Sequence, residues 1–292
     1  ITAGKALCNV VAEENGQSIY VTDDGPEQLL QVDVATRRLT KSFDLKDSLC
    51  SMALDAAGTT VYIPTWHRKA SGGFDSSEIQ AVHLATGALS RFPATLFPTG
   101  PFLDPASHVV YAANTATPSF VALNTVTGSV TDSVPIPAKA NRMATSTANG
   151  YLYVASPDAN KVYVLDLASR RVVATLDAGT RPWDVAEDPR TGRIFVSAEL
   201  SGSVTILDPQ YNETMRVIKV GNHPRNLAID GIHGIVYVLN AGDHTVSSFD
   251  TNGEALQTST ALPGTDDVTG LAVASETGDV FVVSKQQIYV LG

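Results

Sequence analysis

The chain is written in short runs where apolar and polar residues alternate with period two, cut at close intervals by Gly, Pro, Asn and Asp. One unit shows the pattern whole. Trp183-Asp184-Val185-Ala186 is followed by a turn from Pro189 to Gly192, then by Arg193-Ile194-Phe195-Val196-Ser197. After a polar loop come Ser203-Val204-Thr205-Ile206-Leu207-Asp208 and finally Met215-Arg216-Val217-Ile218-Lys219-Val220. Alternation, β-branched content and close turns predict four strands here rather than helices.

The unit repeats. An aromatic residue closes a hydrophobic strand at Tyr20, Tyr62, Tyr111, Tyr153, Phe195, Tyr237 and Phe281, with spacings of 42, 49, 42, 42, 42 and 44. Seven four-stranded units of this period predict an all-β fold, a seven-bladed β-propeller forming one domain over residues 1–292. The repeats run about 8–45, 48–94, 98–136, 140–179, 181–221, 223–264 and 266–292, the last completed by 1–4. That last unit shows only three strands, Leu271–Ala274, Val280–Val283 and Gln287–Leu291. Ile1-Thr2-Ala3-Gly4 precedes Cys8 at the offset by which Leu176-Asp177-Ala178-Gly179 precedes Trp183. The N-terminal segment is therefore expected to close the seventh blade, which would otherwise keep an unpaired strand edge.

Tyr20-Val21-Thr22-Asp23 departs by one residue from Tyr-Val-Thr-Asn, as does Tyr237-Val238-Leu239-Asn240, and an Asp/Asn-x-x-Thr/Ser turn follows at Asp33–Thr36, Asn124–Thr127 and Asp166–Ser169. In these features the chain resembles YVTN-type repeat β-propellers over essentially its whole length. Combined Gly-His and Trp-Asp pairs of the WD40 kind do not recur in the repeat; Trp183-Asp184 stands once, without a Gly-His. The resemblance implies a fold and leaves function open, because such repeats serve surface-layer proteins, periplasmic binding proteins and lactonase-like enzymes alike.

Charge narrows the partners. With 30 acidic and 20 basic residues the formal balance is −10, which repels phosphate backbones and anionic membrane surfaces. Nucleic acid is thus an unfavoured partner, and no apolar run is long enough to span a bilayer. Ile1 in place of an initiator Met suggests either a processed chain or a trimmed one, with any targeting segment already gone. Together with the resemblance, this points to a periplasmic or extracellular protein, expected as a monomer.

Loops entering each innermost strand and loops joining the second strand to the third share one face, at the mouth of the central channel. Alignment on the aromatic residue puts Asn9, Ser51, Arg142, Asp184, Asn226 and Gly270 at one position near that mouth, and Cys8, Cys50, Asn141, Trp183, Arg225 and Thr269 one residue earlier. Deeper positions are small: Ala53, Ala144, Ala186, Ala228 and Ala272. Arg142, Arg225, Asp184, Asn226, Asn9 and Trp183 form the candidate ligand site. Two guanidiniums would grip a carboxylate or phosphate and Trp183 would stack on a flat or sugar-like face; the plainer alternative pairs Asp184 with one Arg. The insertion behind the 49-residue spacing, Pro64 to Glu78, reads as a loop carrying Trp66, Phe74 and the basic run His67-Arg68-Lys69. It would cap the channel, anchor a partner or form a mobile, solvated hairpin.

Six histidines, at 67, 83, 108, 223, 233 and 244, lack ligand spacing, so neither a metal nor another cofactor is expected. No Gly-x-Ser-x-Gly appears. Cys8 and Cys50 share a register in adjacent innermost strands. A cross-blade disulfide needs that coincidence, while two unpaired buried cysteines whose Cα atoms stand more than about 7 Å apart would serve packing alone. The leading functional expectation is a propeller that binds a small anionic molecule, glycan or protein at the channel mouth. The alternatives are a lactonase-like hydrolase or isomerase with Asp184 as base and Arg142 and Arg225 as oxyanion stabilisers, and a nucleic-acid binder using His67-Arg68-Lys69. Whether the chain is an enzyme stays open at this level.

Overall fold

The computed structural model describes residues 1–292 apart from 2–3, 46, 48–49, 56, 69–70, 73, 95–96, 105, 115, 132, 255, 265–266 and 292. Seven antiparallel sheets follow one another along the chain, each with its strands in sequence order. They are the blades of a seven-bladed propeller. The innermost strands are Leu7–Ala12, Ala53–Leu54, Pro98–Asp104, Met143–Thr145, Pro182–Glu187, Pro224–Asp230 and Val268–Ala274.

Position in the blade explains the composition of each strand. Ser18–Asp23, second from the axis, is buried at every residue but the first, because neighbouring blades cover both of its faces. Arg38–Asp44, on the outer edge, is almost wholly exposed and carries Arg, Thr, Lys, Ser and Asp. The core accordingly lies between blades rather than within them. Buried apolar side chains form seven clusters, each spanning one seam between adjacent blades. At the seam between last and first blades, Phe281 and Val283 pack with Val21 and Val32.

The ring closes at that seam. The backbone N of Ile1 donates to the Ile288 carbonyl at 2.7 Å, and the Ile288 N–H donates back to Ile1 at 2.9 Å, on the outer side of the three-stranded seventh sheet. Asp23, the signature residue of the first repeat, then fixes the approach to the first inner strand by accepting the N–H groups of Lys5 and Ala6, both at 2.9 Å. Its counterpart Asn240 donates to Thr245 and Ser247. These signature positions tie turns together.

The inner strands of the first, third, fifth, sixth and seventh blades each bulge by one residue at the channel mouth. In the third blade, Tyr111 faces Phe102 but Ala113 faces Thr99, so the inner strand carries one extra residue. Gly100 sits in that bulge at φ 54°, where a Cβ would meet the Asn141 carbonyl. In the second blade, the insertion forms the hairpin alternative, as a paired continuation of two strands rather than a solvated loop: Thr60–Arg68 pairs with Phe74–His83 up to Arg68 opposite Phe74. Alternation persists through Pro64-Thr65-Trp66-His67, and Thr65, Ser77 and Glu78 are buried. Lys69 and the Arg68 side chain lie outside the described residues.

Candidate functional site

A cavity of about 520 Å³ opens where the loops enter the innermost strands. Cys8, Cys50, Asn141, Trp183, Arg225 and Thr269 all border it, with Ser51, Arg142 and Asn226 from the next register position and Trp66 from the extended hairpin. Below lies a narrower space of about 190 Å³ between the inner strands, bordered by Asn9, Asp184 and apolar side chains that include Met52, Met143 and Leu271. Arg142, Asn226 and Gly100 border both spaces.

Asn9 and Asp184 therefore stand one level deeper than the mouth position expected for them. Each turns its side chain back onto its own strand, Asn9 Oδ1 accepting the Val10 N–H and Asp184 Oδ1 the Val185 N–H, both at 2.9 Å. The second oxygen of Asp184 accepts the Leu227 N–H of the next blade at 3.0 Å. Burial holds its carboxyl above the ordinary carboxylate range, against the opposing pull of Arg142 and of these two N–H groups. The alternative ion pair between Asp184 and an Arg is absent among the described residues: Arg142 acts on Asp184 through its charge alone, and Arg225 is engaged with Glu199.

Glu199 is a residue that the sequence reading missed. Arg225 places Nε at 2.9 Å and Nη2 at 2.8 Å from Glu199 Oε1, while Arg181 Nε stands 3.1 Å from Oε2. The Arg181 contact is a charge contact without an aligned hydrogen bond. Glu199 is only 2% exposed, whereas both arginines are about two-fifths exposed. It begins a 3₁₀ turn, Glu199–Ser201, between the second and third strands of the fifth blade. Arg181 holds φ 59°, a left-handed backbone that costs a non-glycine residue about 1–2 kcal/mol. Two hydrogen bonds keep it there, Arg181 N–H to Asn160 at 2.7 Å and Glu199 N–H to the Arg181 carbonyl at 3.0 Å. Both guanidiniums lie over the Trp183 ring, at 5.4 Å for Arg181 and 4.9 Å for Arg225. The ring offered by the sequence as a stacking platform thus already carries two cations.

Arg142 is differently placed. Among the described residues no acidic group lies within ion-pair distance of it, and its side chain passes beside the Gly100 bulge. The neighbouring Asn141 amide is committed to the Trp183 carbonyl at 2.8 Å. Ser51 accepts the Gly100 N–H at 3.3 Å, keeping its own O–H to give.

Above the rim, Trp66 packs edge-on against Phe74 and Phe97 at centroid distances of 5.3 and 5.6 Å, and its indole N–H donates to the Pro98 carbonyl at 2.9 Å. His67 faces Asp47 at 3.0 Å and Glu78 at 3.6 Å, with Arg91 also on Glu78 at 3.2 Å. The hydrogen bond to Asp47 raises the His67 pKa, burial opposes this, and the charge of Glu78 adds to the rise. Cys8 and Cys50 are joined by a disulfide, their Cα atoms 5.2 Å apart, which ties the first blade to the second in the cavity wall. Among the described residues no group of three His, Cys, Asp or Glu side chains is placed to hold a metal ion, and no helix is long and apolar enough to cross a membrane. His233 lies with Asp230 on the opposite face, at 2.7 Å.

Neither a protein-family model nor a curated protein sequence matches the chain. Solved structures do. The hydrazine synthase of Kuenenia stuttgartiensis is similar with a TM-score of 0.80 at 13% identity, over 98% of this chain and 95% of that one. A streptogramin B lyase is similar with a TM-score of 0.80 at 11% identity, over 99% of this chain and 93% of the other. At such identities the likeness carries the architecture and no chemistry: the chain is a seven-bladed β-propeller.

Proposed function

We propose that this propeller is a recognition module that binds a small anionic organic molecule in the channel mouth, outside the cytoplasm. The observation that carries the reading is Arg142. It is a guanidinium without an ion-pair partner among the described residues, and it borders both a cavity of about 520 Å³ and the narrower space beneath. A cation without an ion pair among the described residues at the floor of a concave site, with the Asn226 amide and the Ser51 hydroxyl lining the same cavity, suits a carboxylate or similar anion. The Cys8–Cys50 disulfide supports an oxidising compartment, as does the resemblance to YVTN repeats of surface-layer and periplasmic proteins.

Binding is favoured over hydrolysis because both oxygens of Asp184, the candidate base, already accept backbone N–H groups. Nucleic acid is opposed by the net charge of −10 and by the engagement of His67 with Asp47 and Glu78. Calorimetric titration of the chain with small carboxylates tests the reading. Arg142→Ala should weaken binding by about ten- to a hundredfold, the worth of a charge-assisted hydrogen bond at 1.5–3 kcal/mol. Equal affinity in wild type and variant would remove the site.

A further inference from the structure

Arg142 is not the sole cation at the mouth. Arg181, Arg225 and Lys285 stand there too, and each of those three already faces a carboxylate. Lys285 Nζ lies 2.6 Å from Asp267, while Arg181 and Arg225 share Glu199. Glu199 is buried at 2% exposure beneath two guanidiniums that come from different blades and reach solvent. It fixes where they point, one of its oxygens taking Nε and Nη2 of Arg225 together.

The geometry assigns to Glu199 the role of an internal counter-anion that sets the charge preference of the mouth. This rests on the reading of Arg142 as the anion-binding group and goes on to name the ligand class: a small organic acid carrying one negative charge, a monocarboxylate. The first negative charge of a ligand meets Arg142. A second charge meets an Arg181–Arg225 pair that Glu199 has reduced to one net positive charge, which the Asp24 carboxylate at the cavity wall offsets in turn, and it has to approach Glu199 itself, in a concave site where water screens poorly. Glu199 does not touch the ligand in this arrangement. It is a positioning residue, acting through Arg181 and Arg225, and a buried carboxylate is the only kind of side chain that holds both guanidiniums while subtracting one charge.

Calorimetric titrations of the full chain with benzoate, succinate and citrate read this directly. Wild type should bind benzoate at least as well as citrate. Glu199→Gln keeps the shape and removes the charge, and should raise citrate affinity relative to benzoate by about tenfold, equivalent to ~1.4 kcal/mol. The double variant E199Q/R225Q takes one positive charge away again and should restore the wild-type order. Should E199Q alone fail to fold, R225Q compared with the double variant differs by the same single charge and should show the same shift in the citrate-to-benzoate ratio. Arg142-dependent binding with a ratio indifferent to Glu199, or a wild type that prefers citrate, overturns this assignment and leaves the mouth site standing. No Arg142-dependent binding of any of the three acids overturns both.

Discussion

The backbone N–H of Leu227 donates to Asp184 Oδ2 at 3.0 Å, across the seam between the fifth and sixth blades. Ser197 reinforces the seam, accepting the Asp184 N–H at 3.1 Å and donating to the Arg225 carbonyl at 2.7 Å. A carboxylate at the channel wall is thus spent on joining blades.

Burial raises the Asp184 pKa, so the folded chain keeps a proton that the unfolded chain loses near the ordinary value of 3.8. Stability from this group is present in acid and declines as pH rises from that value through the raised one. Asp184→Asn does not titrate, and its amide NH₂ replaces one accepting oxygen opposite a backbone N–H. The variant should be less stable than wild type by about 1–3 kcal/mol in acid, and the gap should narrow with rising pH. Denaturant melts of both proteins across that range check this; a gap that stays flat or widens refutes it.

His67 has the opposite sign. Its pKa is raised from the ordinary value of 6.5, first by the hydrogen bond to Asp47. Its stabilising effect is complete below that value and is lost as pH rises through the raised one. His67→Gln should therefore lower the thermal midpoint in mild acid and have a shrinking effect at alkaline pH. Equal midpoint differences at both ends would show that the clip to Asp47 and Glu78 carries no charge.

The Cys8–Cys50 bridge spans a sequence separation of 42 residues. It secures the seam where the inner strand is shortest, Ala53–Leu54 against the six residues of Leu7–Ala12. Replacing both cysteines by serine should cost about 2–4 kcal/mol. Alkylation of the unreduced, denatured chain should label no thiol, and labelling of both would refute the bridge.

Closure can be tested by deleting residues 1–4. This removes the two Ile1–Ile288 hydrogen bonds and uncovers the edge of the last sheet. The thermal midpoint should fall for the whole domain in one transition, because the ring distributes its core over the seams. An unchanged midpoint would show that Ile1 contributes no closure.

The fold was legible because blade geometry repeats at the level of side-chain burial: Tyr20, Tyr153, Phe195 and Phe281 are all nearly fully buried, and their spacing sets the period. The mouth was legible for residues on the strands, where a shared register puts Cys8, Asn141, Trp183 and Arg225 around one cavity. Register says nothing about which level a side chain turns toward, so Asn9 and Asp184 were placed too high. It says nothing about loops either. Glu199 sits in a 3₁₀ turn between Ala198 and Leu200, and Arg181 precedes the aligned strand. A signal did exist: an acid in a mouth-side loop of the blade that also contributes Trp183, with arginines before and after it. The pairing of the hairpin was readable from alternation that continues past Pro64, through Thr65, Trp66 and His67.

The covalent loop from Cys8 to Cys50 also changes how the molecule bears a load. A pull at Ile1 opens its pair with Ile288, then the bonds of Lys5 and Ala6 to Asp23 and of Leu7 to Lys285, and then reaches Cys8. From there tension crosses the sulfur bridge directly to Cys50, and the residues between them carry none of it. The first blade is mechanically bypassed, so a ring anchored by its N-terminal end would yield at its closing blade while blade one and its side of the ligand cavity stay folded.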